Sequence, residues 1–176
     1  MKTLLRGFGL ACLAGLFLWP GVAAADDLEY AVKAAYLTKF VPFIAWPDGT
    51  LASGGPVTLC VLGKGPFAGK LEQDAAAAPG QPLAVRHVDG PDASCQLLFL
   101  GRDVAQPGMV LDALKNSPVV TVTDSDLPVH GIISFVITAN HVRFDIDAVG
   151  AAARGLRVSA KLLGLAHKVT LKEPAP

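Results

Sequence analysis

The clearest hydrophobic pattern in the chain lies near its C-terminal end. Residues 132–138 form an apolar, β-branched run, and residues 141–146 alternate apolar and polar side chains with a period of two. Ala139 and Asn140 separate the two runs, and asparagine tolerates the left-handed backbone that tight turns need. The pattern predicts a β-hairpin.

Two short helices are predicted after the hairpin. Asp147 is a good N-cap for an alanine-rich helix that runs to Arg154, and Gly155 stands where a C-terminal glycine would end that helix. Ser159 can cap a last helix. The buried stripe of that last helix would contain Leu162, Leu163 and Ala166.

An amphipathic helix over Leu28–Val41 is predicted near the other end of the chain. Its apolar residues recur at i, i+3, i+4 and i+7, a spacing that places them on one side of a helix. The predicted buried stripe consists of Leu28, Ala31, Val32, Ala35, Tyr36 and Phe40. Glu29, Lys33 and Lys39 lie elsewhere on the helical wheel, and Pro42 ends or kinks the helix.

Strands alternate with helical segments through the middle of the chain. Apolar runs predict strands at Val57–Leu62, Pro82–Val88, Cys95–Gly101 and Val119–Thr123, and a helix over Met109–Asn116 precedes the last of these. The order of elements predicts an α/β fold. We expect a single domain with a central mixed β-sheet flanked by helices, ending in a β-hairpin and two short helices.

The first 25 residues have the pattern of a secretory signal peptide. Lys2 and Arg6 precede an apolar run that is too short for a comfortable membrane span, and Ala23–Ala25 offers a small-residue cleavage site before Asp26. The alternative is an uncleaved N-terminal anchor. Cleavage predicts an exported protein whose one domain spans residues 26–176.

Removal of the signal peptide changes the charge balance. Without Lys2 and Arg6, 13 basic residues remain against 15 acidic ones, a net charge of −2. No run of lysines and no interleaving of aromatic and basic residues is present. A nucleic-acid partner is therefore not expected.

Two cysteines remain in the processed chain, Cys60 and Cys95, because Cys12 leaves with the signal peptide. An even number of cysteines in an exported protein favours a disulfide, and two buried free thiols are the alternative. A bridge would require α-carbons about 4.4–6.8 Å apart. The first and third strands of the middle region would then be near neighbours, with the second strand outside the first.

The sharpest catalytic hypothesis concerns the turn after the first of these strands. Gly63, Gly65 and Ala68 match the relaxed dinucleotide-binding pattern, and Asp89 follows at the end of the next strand. Pro66, however, removes a backbone N–H that should donate to pyrophosphate, and the chain is too short for a substrate domain. A tight strand-to-helix turn is the favoured interpretation, and no cofactor is expected.

Other catalytic and metal-binding patterns are weak. Ser159-Ala160-Lys161 is one residue too tight for a Ser-x-x-Lys site, and Asp124 and Asp126 are typical turn formers. The histidines are scattered without the spacing of metal ligands. They are His87, His130, His141 and His167. We therefore expect neither an enzyme nor a metal site.

Four residues are candidates for contact with a partner or a ligand. Phe43 and Trp46 stand in an apolar cluster after the first helix, where they could anchor a partner or pack in the core. Arg143 on the hairpin and Arg154 on the helix after it could hold a carboxylate, and solvent exposure is the alternative.

Four segments together resemble the YfiR-like family of bacterial periplasmic proteins. They cover most of the processed chain in the family's order. The segments are VKAAYLTKFVPFIAWP (32–47), PVTLCVLGKGPFAGKL (56–71), CQLLFLG (95–101) and VRFDIDAVGAAARGLRVSAKLLGLAHKV (142–169). The resemblance implies a disulfide between the matching cysteines, Cys60 and Cys95. A second, more C-terminal cysteine pair of the family is absent here, so behaviour that depends on it does not carry over.

The resemblance also implies a function. YfiR-like proteins repress an inner-membrane diguanylate cyclase by holding its periplasmic sensor domain, and an outer-membrane lipoprotein can relieve the repression. The chain is expected to do the same, with a homodimer as a further possibility for its assembly. The alternative is a sensor that binds a small metabolite at the strand ends of its α/β fold.

Overall fold

The computed structural model describes residues 22–52, 54–65 and 67–171. Residues 1–21 of the predicted signal peptide, which spans residues 1–25, lie outside the described part. In chain order the elements are α1 (Val22–Phe40), β1 (Ile44–Ala45), β2 (Val57–Leu62), α2 (Lys70–Ala77), β3 (Leu83–Val88), β4 (Leu97–Leu100), α3 (Pro107–Ala113), β5 (Val120–Thr123), β6 (Ile133–Thr138), β7 (His141–Asp147), α4 (Ala148–Ala153), β8 (Arg157–Val158), α5 (Ala160–Leu163) and β9 (Lys168–Thr170). A single 3-10 turn, Val41–Phe43, follows α1.

Seven strands form one mixed sheet in the order β3-β2-β4-β5-β6-β7-β9. The first five are parallel to their neighbours, the hairpin pair β6–β7 is antiparallel, and β9 lies parallel to β7. The predicted α/β class with a central mixed sheet is therefore confirmed. From β2 the chain moves outward to β3, and from β4 it moves across the sheet in the other direction to β5. The order of the strands therefore reverses between β2 and β4, and α/β sheets form a crevice at the carboxyl ends of the strands at such a position.

Cys60 on β2 and Cys95 just before β4 form a disulfide with their α-carbons 5.9 Å apart. The first and third strands of the middle region, β2 and β4, are therefore neighbours, as predicted for a bridge between these cysteines. Strand β3 lies outside β2, which was also expected. Gln96 strengthens the same junction, because its side-chain oxygen accepts the Thr58 N–H at 2.8 Å.

Apolar side chains cover both faces of the sheet. On one face, α1, α2 and α5 pack against the larger core, which includes Leu37, Phe99 and Phe135. On the other face, α3 packs against a smaller cluster around the disulfide, including Leu98 and Val110. Strand β4 is buried on both sides, as its continuous apolar sequence predicts.

The C-terminal turns and caps agree with the sequence. Ala139 and Asn140 both have positive φ angles, 48° and 59°, which is the conformation of a two-residue hairpin turn. The Asp147 side chain accepts the Gly150 N–H and caps α4, and the Ser159 hydroxyl accepts the Leu162 N–H and caps α5. Gly155 ends the α4 segment with a φ of 72°.

The predicted buried stripe of α1 is mostly wrong, since of its six residues only Phe40 is buried. Leu28 is 67 % exposed and Val32 is 36 % exposed, whereas Lys33 is completely buried. The helix instead turns its opposite side to the sheet. The buried side consists of Tyr30, Lys33, Ala34, Leu37 and Phe40. Both sides carry apolar residues at helical spacing, so the hydrophobic pattern alone could not decide between them.

Several short elements were not predicted. β9 extends the sheet beyond the hairpin, and β1 pairs with β8 in a separate two-stranded sheet. Helix α3 begins and ends earlier than predicted, at Pro107–Ala113. Two- and three-residue strands carry too little periodicity to be recognised in a sequence, since their pairing depends on tertiary contacts.

The disulfide should contribute substantially to stability. Its cysteines are 35 residues apart, so the chain-entropy model predicts that the double variant Cys60→Ala/Cys95→Ala loses roughly 3–4 kcal/mol of unfolding free energy while still folding. Urea unfolding followed by circular dichroism measures this loss. Reduction of the wild-type protein is the control, because it breaks the bond but leaves both side chains in place. A loss below about 1 kcal/mol in both cases would contradict the expectation.

Candidate functional site

The four candidate residues occupy different environments. Trp46 is buried and donates its ring N–H to the Gln96 carbonyl at 3.3 Å. Arg154 is half-buried and donates to the Val119 carbonyl at 3.3 Å, and its burial lowers its pKa. Phe43 is half-buried beneath the Lys161 ammonium, which lies 5.5 Å from its ring centroid. Arg143 is exposed on β7 and lines a surface groove.

A buried ion cluster that the sequence did not reveal fixes α1 to the sheet. We define it as Tyr30 and Lys33 on α1, Arg102 after β4 and Asp124 after β5. The Lys33 ammonium lies 2.5 Å from Asp124 Oδ1, and the Tyr30 hydroxyl donates to Asp124 Oδ2 at 2.5 Å. The side chains of Lys33 and Asp124 are both completely buried. Each charge can remain buried only because the other compensates it.

Further contacts complete the cluster. The Lys33 ammonium also contacts Glu29 one turn earlier on α1 and lies 4.6 Å from the centroid of the Tyr30 ring. The Asp124 carboxylate additionally accepts the Ser125 N–H at 2.7 Å. The turn-former prediction for Asp124 thus covers only part of its role, since its carboxylate also accepts hydrogen bonds from two residues of α1.

Arg102 connects the buried cluster to the surface. Its Nε donates to the Tyr30 hydroxyl at 2.7 Å, and its guanidinium lies 3.6 Å from Asp126. Burial and the hydrogen bond to Asp124 raise the pKa of Tyr30, and the hydrogen bond to Tyr30 raises the pKa of Arg102. The folded state therefore holds the Tyr30 proton more tightly than the unfolded chain does. This contribution to stability is fully present below about pH 10 and is lost as the pH rises above it.

With Lys33 turned inward, the apolar side of α1 faces a groove of about 780 Å³. The opposite wall of this α1–hairpin groove is the tip of the β6–β7 hairpin. Its lining consists of Leu28, Glu29, Val32 and Tyr36 on α1 and of Ile137, Asn140, His141, Val142 and Arg143 on the hairpin. The groove therefore has an apolar floor and a polar rim.

The groove concentrates exposed apolar surface. In the part of the chain that the structure describes, six large hydrophobic side chains are exposed, and Leu28, Val32 and Ile137 of these line this one groove. Soluble proteins rarely leave such side chains grouped together unless the surface binds something. We therefore regard the groove as the candidate functional site.

The glycine-rich turn after β2 is occupied by a side chain of the protein itself. Both oxygens of the Asp103 carboxylate accept the Lys64 N–H, at 3.0 and 3.2 Å. A Cβ at Gly63 would lie 2.5 Å from Asp103 Oδ1, so Gly63 provides room for this carboxylate. A turn that holds an internal carboxylate is poorly suited to bind a pyrophosphate.

The histidines give no indication of a metal site in the described residues. His87 pairs with Glu72 and His167 with Asp145, and within residues 22–52, 54–65 and 67–171 no three potential ligand side chains are grouped for a metal ion. The helices in these same residues include none with the length and apolarity needed to span a membrane.

Comparison with protein families gives one match. The model of the YfiR/HmsC-like family matches residues 30–167 of the 176. The matched region begins at Tyr30 and so contains all four residues of the ion cluster. This family is regulatory rather than catalytic, and its members are periplasmic. A comparison with individual curated proteins found no match.

Breaking the ion cluster should be costly. The variant Lys33→Met keeps most of the side-chain volume but leaves the Asp124 carboxylate buried without its counter-ion, so we expect a loss of about 3–5 kcal/mol in unfolding free energy. The control is Lys39→Met, which removes an exposed lysine from the same helix and should change stability by less than about 0.5 kcal/mol. Urea unfolding of both variants tests this. Equal stabilities for the two would show that the pair does not anchor α1.

Proposed function

The chain belongs to the YfiR/HmsC-like family, and from this premise we propose that it represses an inner-membrane diguanylate cyclase by binding the cyclase's periplasmic sensor domain. The observation that carries the proposal is the α1–hairpin groove. A protein that regulates without catalysis must act through a binding surface, and the groove combines exposed apolar side chains with a polar rim that includes Arg143.

The composition of the groove suits a protein partner. Leu28, Val32 and Ile137 supply apolar area that a partner could cover, which is the main source of affinity at interface centres. Arg143 at the rim can pair with a negative charge on the partner and so help to determine orientation and specificity, whereas Glu29 is already paired with Lys33. Among the sequence candidates, Arg143 therefore becomes part of the proposed interface.

The groove is also rigid enough to select one conformation of a partner. One wall is a helix held by buried charges, and the other is a hairpin closed by a two-residue turn. A pre-organised surface loses little conformational entropy on binding. Repression then requires only that the groove binds the inactive sensor better than the active one, and a difference of about 1.4 kcal/mol shifts that equilibrium tenfold.

The setting of this interaction is part of the proposal. Export with cleavage before Asp26 would release the domain into the periplasm, where it can reach the sensor domain. Cleavage at that point removes the first four residues of α1 and leaves the residues of the groove and the ion cluster intact. An outer-membrane lipoprotein could relieve repression by competing for the domain, and a homodimer would present two grooves.

Substitutions in the groove should abolish binding without unfolding the protein. Val32→Glu places a charge on the apolar floor, and Arg143→Glu reverses the rim charge, so each should weaken binding to the purified sensor domain by at least about tenfold. In cells, each should raise cyclic di-GMP to the level of the deletion strain. Calorimetric titration and nucleotide extraction measure the two effects.

Met109→Glu is the matched control, because Met109 is an exposed apolar residue on α3, on the other face of the sheet. It should leave binding, cyclic di-GMP and thermal stability unchanged. If Val32→Glu and Arg143→Glu bind the sensor domain as the wild type does, the groove is not the interface. If deletion of the gene leaves cyclic di-GMP unchanged while the wild-type protein is abundant, the regulatory function itself is contradicted.

A further inference from the structure

We propose that a crevice at the carboxyl ends of β2, β3 and β4 binds a small organic monocation, an ammonium group on an apolar body. This strand-end crevice has a volume of about 630 Å³, within the range of ligand sites. It lies where the order of the strands reverses, which is the position where open α/β sheets bind their ligands. The location is the one expected for a small-metabolite site, the alternative that the sequence left open.

One wall of the crevice is apolar. Leu62 and Val110 belong to the smaller core around the disulfide, and Val88 and Val104 pack against that core. All four side chains line the crevice. Val88 and Val104 are only half-buried, so a molecule in the crevice can contact them. This wall suits the apolar body of a ligand.

Two accessible carboxylates line the same crevice. Asp89 follows β3 and Asp103 follows β4, and both residues are exposed. Among the described residues, neither carboxylate has a counter-ion. A donor on a molecule in the crevice can therefore reach both groups and pair with them.

The Asp103 carboxylate is held in position before any ligand binds. Both of its oxygens accept the Lys64 N–H, at 3.0 and 3.2 Å. Gly63 and Gly101 leave room for it, since a Cβ at these positions would lie 2.5 and 3.1 Å from its Oδ1. One N–H uses only part of the accepting capacity of a carboxylate, so Asp103 can also bind an ammonium group. A carboxylate that is already ordered loses little entropy on binding.

The charges of the lining favour a single positive charge on the ligand. Among the described lining residues, two carboxylates and the Lys64 ammonium are ionised, which leaves a net charge of −1. A monocation neutralises this charge. Two carboxylates would repel an anion, and a dication would leave excess positive charge beside Lys64. The ligand class is therefore an amine that is protonated at neutral pH.

The crevice and the α1–hairpin groove are separate surfaces. The crevice adjoins α3 and the smaller core, whereas the groove lies between α1 and the hairpin. The inference does not rest on the proposed repression of a cyclase, and each can fail without the other.

Three probes with the same aromatic body test the charge of the ligand. They are 2-phenylethylamine, 2-phenylethanol and phenylacetate, which are positive, neutral and negative at neutral pH. In chemical-shift titrations of the full-length processed protein, we expect saturable binding of the amine, at least about tenfold tighter than that of the alcohol. Phenylacetate should not bind. The amides affected by the amine should cluster at 62–64, 88–91 and 103–113.

Three results of these titrations would overturn the inference. One is the absence of saturable binding of the amine. Another is equal affinity for the amine and the alcohol, which would mean that the carboxylates do not contribute. The third is a set of shifts confined to the residues of the α1–hairpin groove.

Charge variants with opposite expected effects test the residues. Asp89→Asn and Asp103→Asn each remove a negative charge and keep the size of the side chain, so each should weaken binding of the amine at least about fivefold. The amide oxygen of Asp103→Asn can still accept the Lys64 N–H, so its thermal stability should match the wild type. Lys64→Met removes the competing ammonium and should strengthen binding at least about threefold.

Asp48→Asn and Lys39→Met are the matched controls, because both residues are exposed and neither lines the crevice. Both should bind the amine with wild-type affinity. Wild-type affinity in both aspartate variants would refute the role of the carboxylates, and wild-type or weaker affinity in Lys64→Met would refute the charge balance. Equal changes in the controls would show that the net charge of the protein, and not the crevice, attracts the amine.

Discussion

The arrangement of this protein depends on one buried ion pair, Lys33 with Asp124. Lysine and aspartate are rarely completely buried, and an uncompensated charge in the core would be prohibitive. Asp124 follows the carboxyl end of β5, and its carboxylate accepts hydrogen bonds from both Lys33 and Tyr30 of α1. The pair therefore holds α1 over the edge of the parallel strands in one rotational setting. A buried pair of this kind is weak evidence for high stability, but it can specify one packing arrangement among several.

The rotation of α1 about its axis determines which of its side chains are buried in the core and which are exposed. One side of the helix enters the core, and another side carries Leu28 and Val32 into the α1–hairpin groove. The proposed binding surface therefore has a wall whose position is set by buried charges. A helix held only by apolar contacts could rotate or slide at lower cost, since both of its sides are apolar.

Local chemistry in the sequence predicted the C-terminal half well. The hairpin turn at Ala139-Asn140 and the caps at Asp147 and Ser159 depend on neighbours within a few residues, and the neighbouring positions of β2 and β4 followed from the cysteines. The inward side of α1 could not be predicted in this way. Lys33 and Asp124 are 91 residues apart, and a lysine at a helical position ordinarily indicates a solvated face. Asp124, an acidic residue in the turn after a predicted strand, was the one clue to a buried partner for Lys33. Its tendency to form turns explained its presence equally well.

The orientation of α1 is most directly tested by thiol accessibility in the folded, oxidised protein. Single cysteines introduced at positions 28, 32, 34 and 37 would be treated with a maleimide, and the labelling rates compared with those in denaturant. We expect fast labelling of Leu28→Cys and Val32→Cys, whose positions are exposed, and strong protection of Ala34→Cys and Leu37→Cys, whose positions are completely buried. The reverse pattern, with 28 and 32 protected and 34 and 37 reactive, would mean that Lys33 faces solvent. It would contradict the buried pair and the groove together.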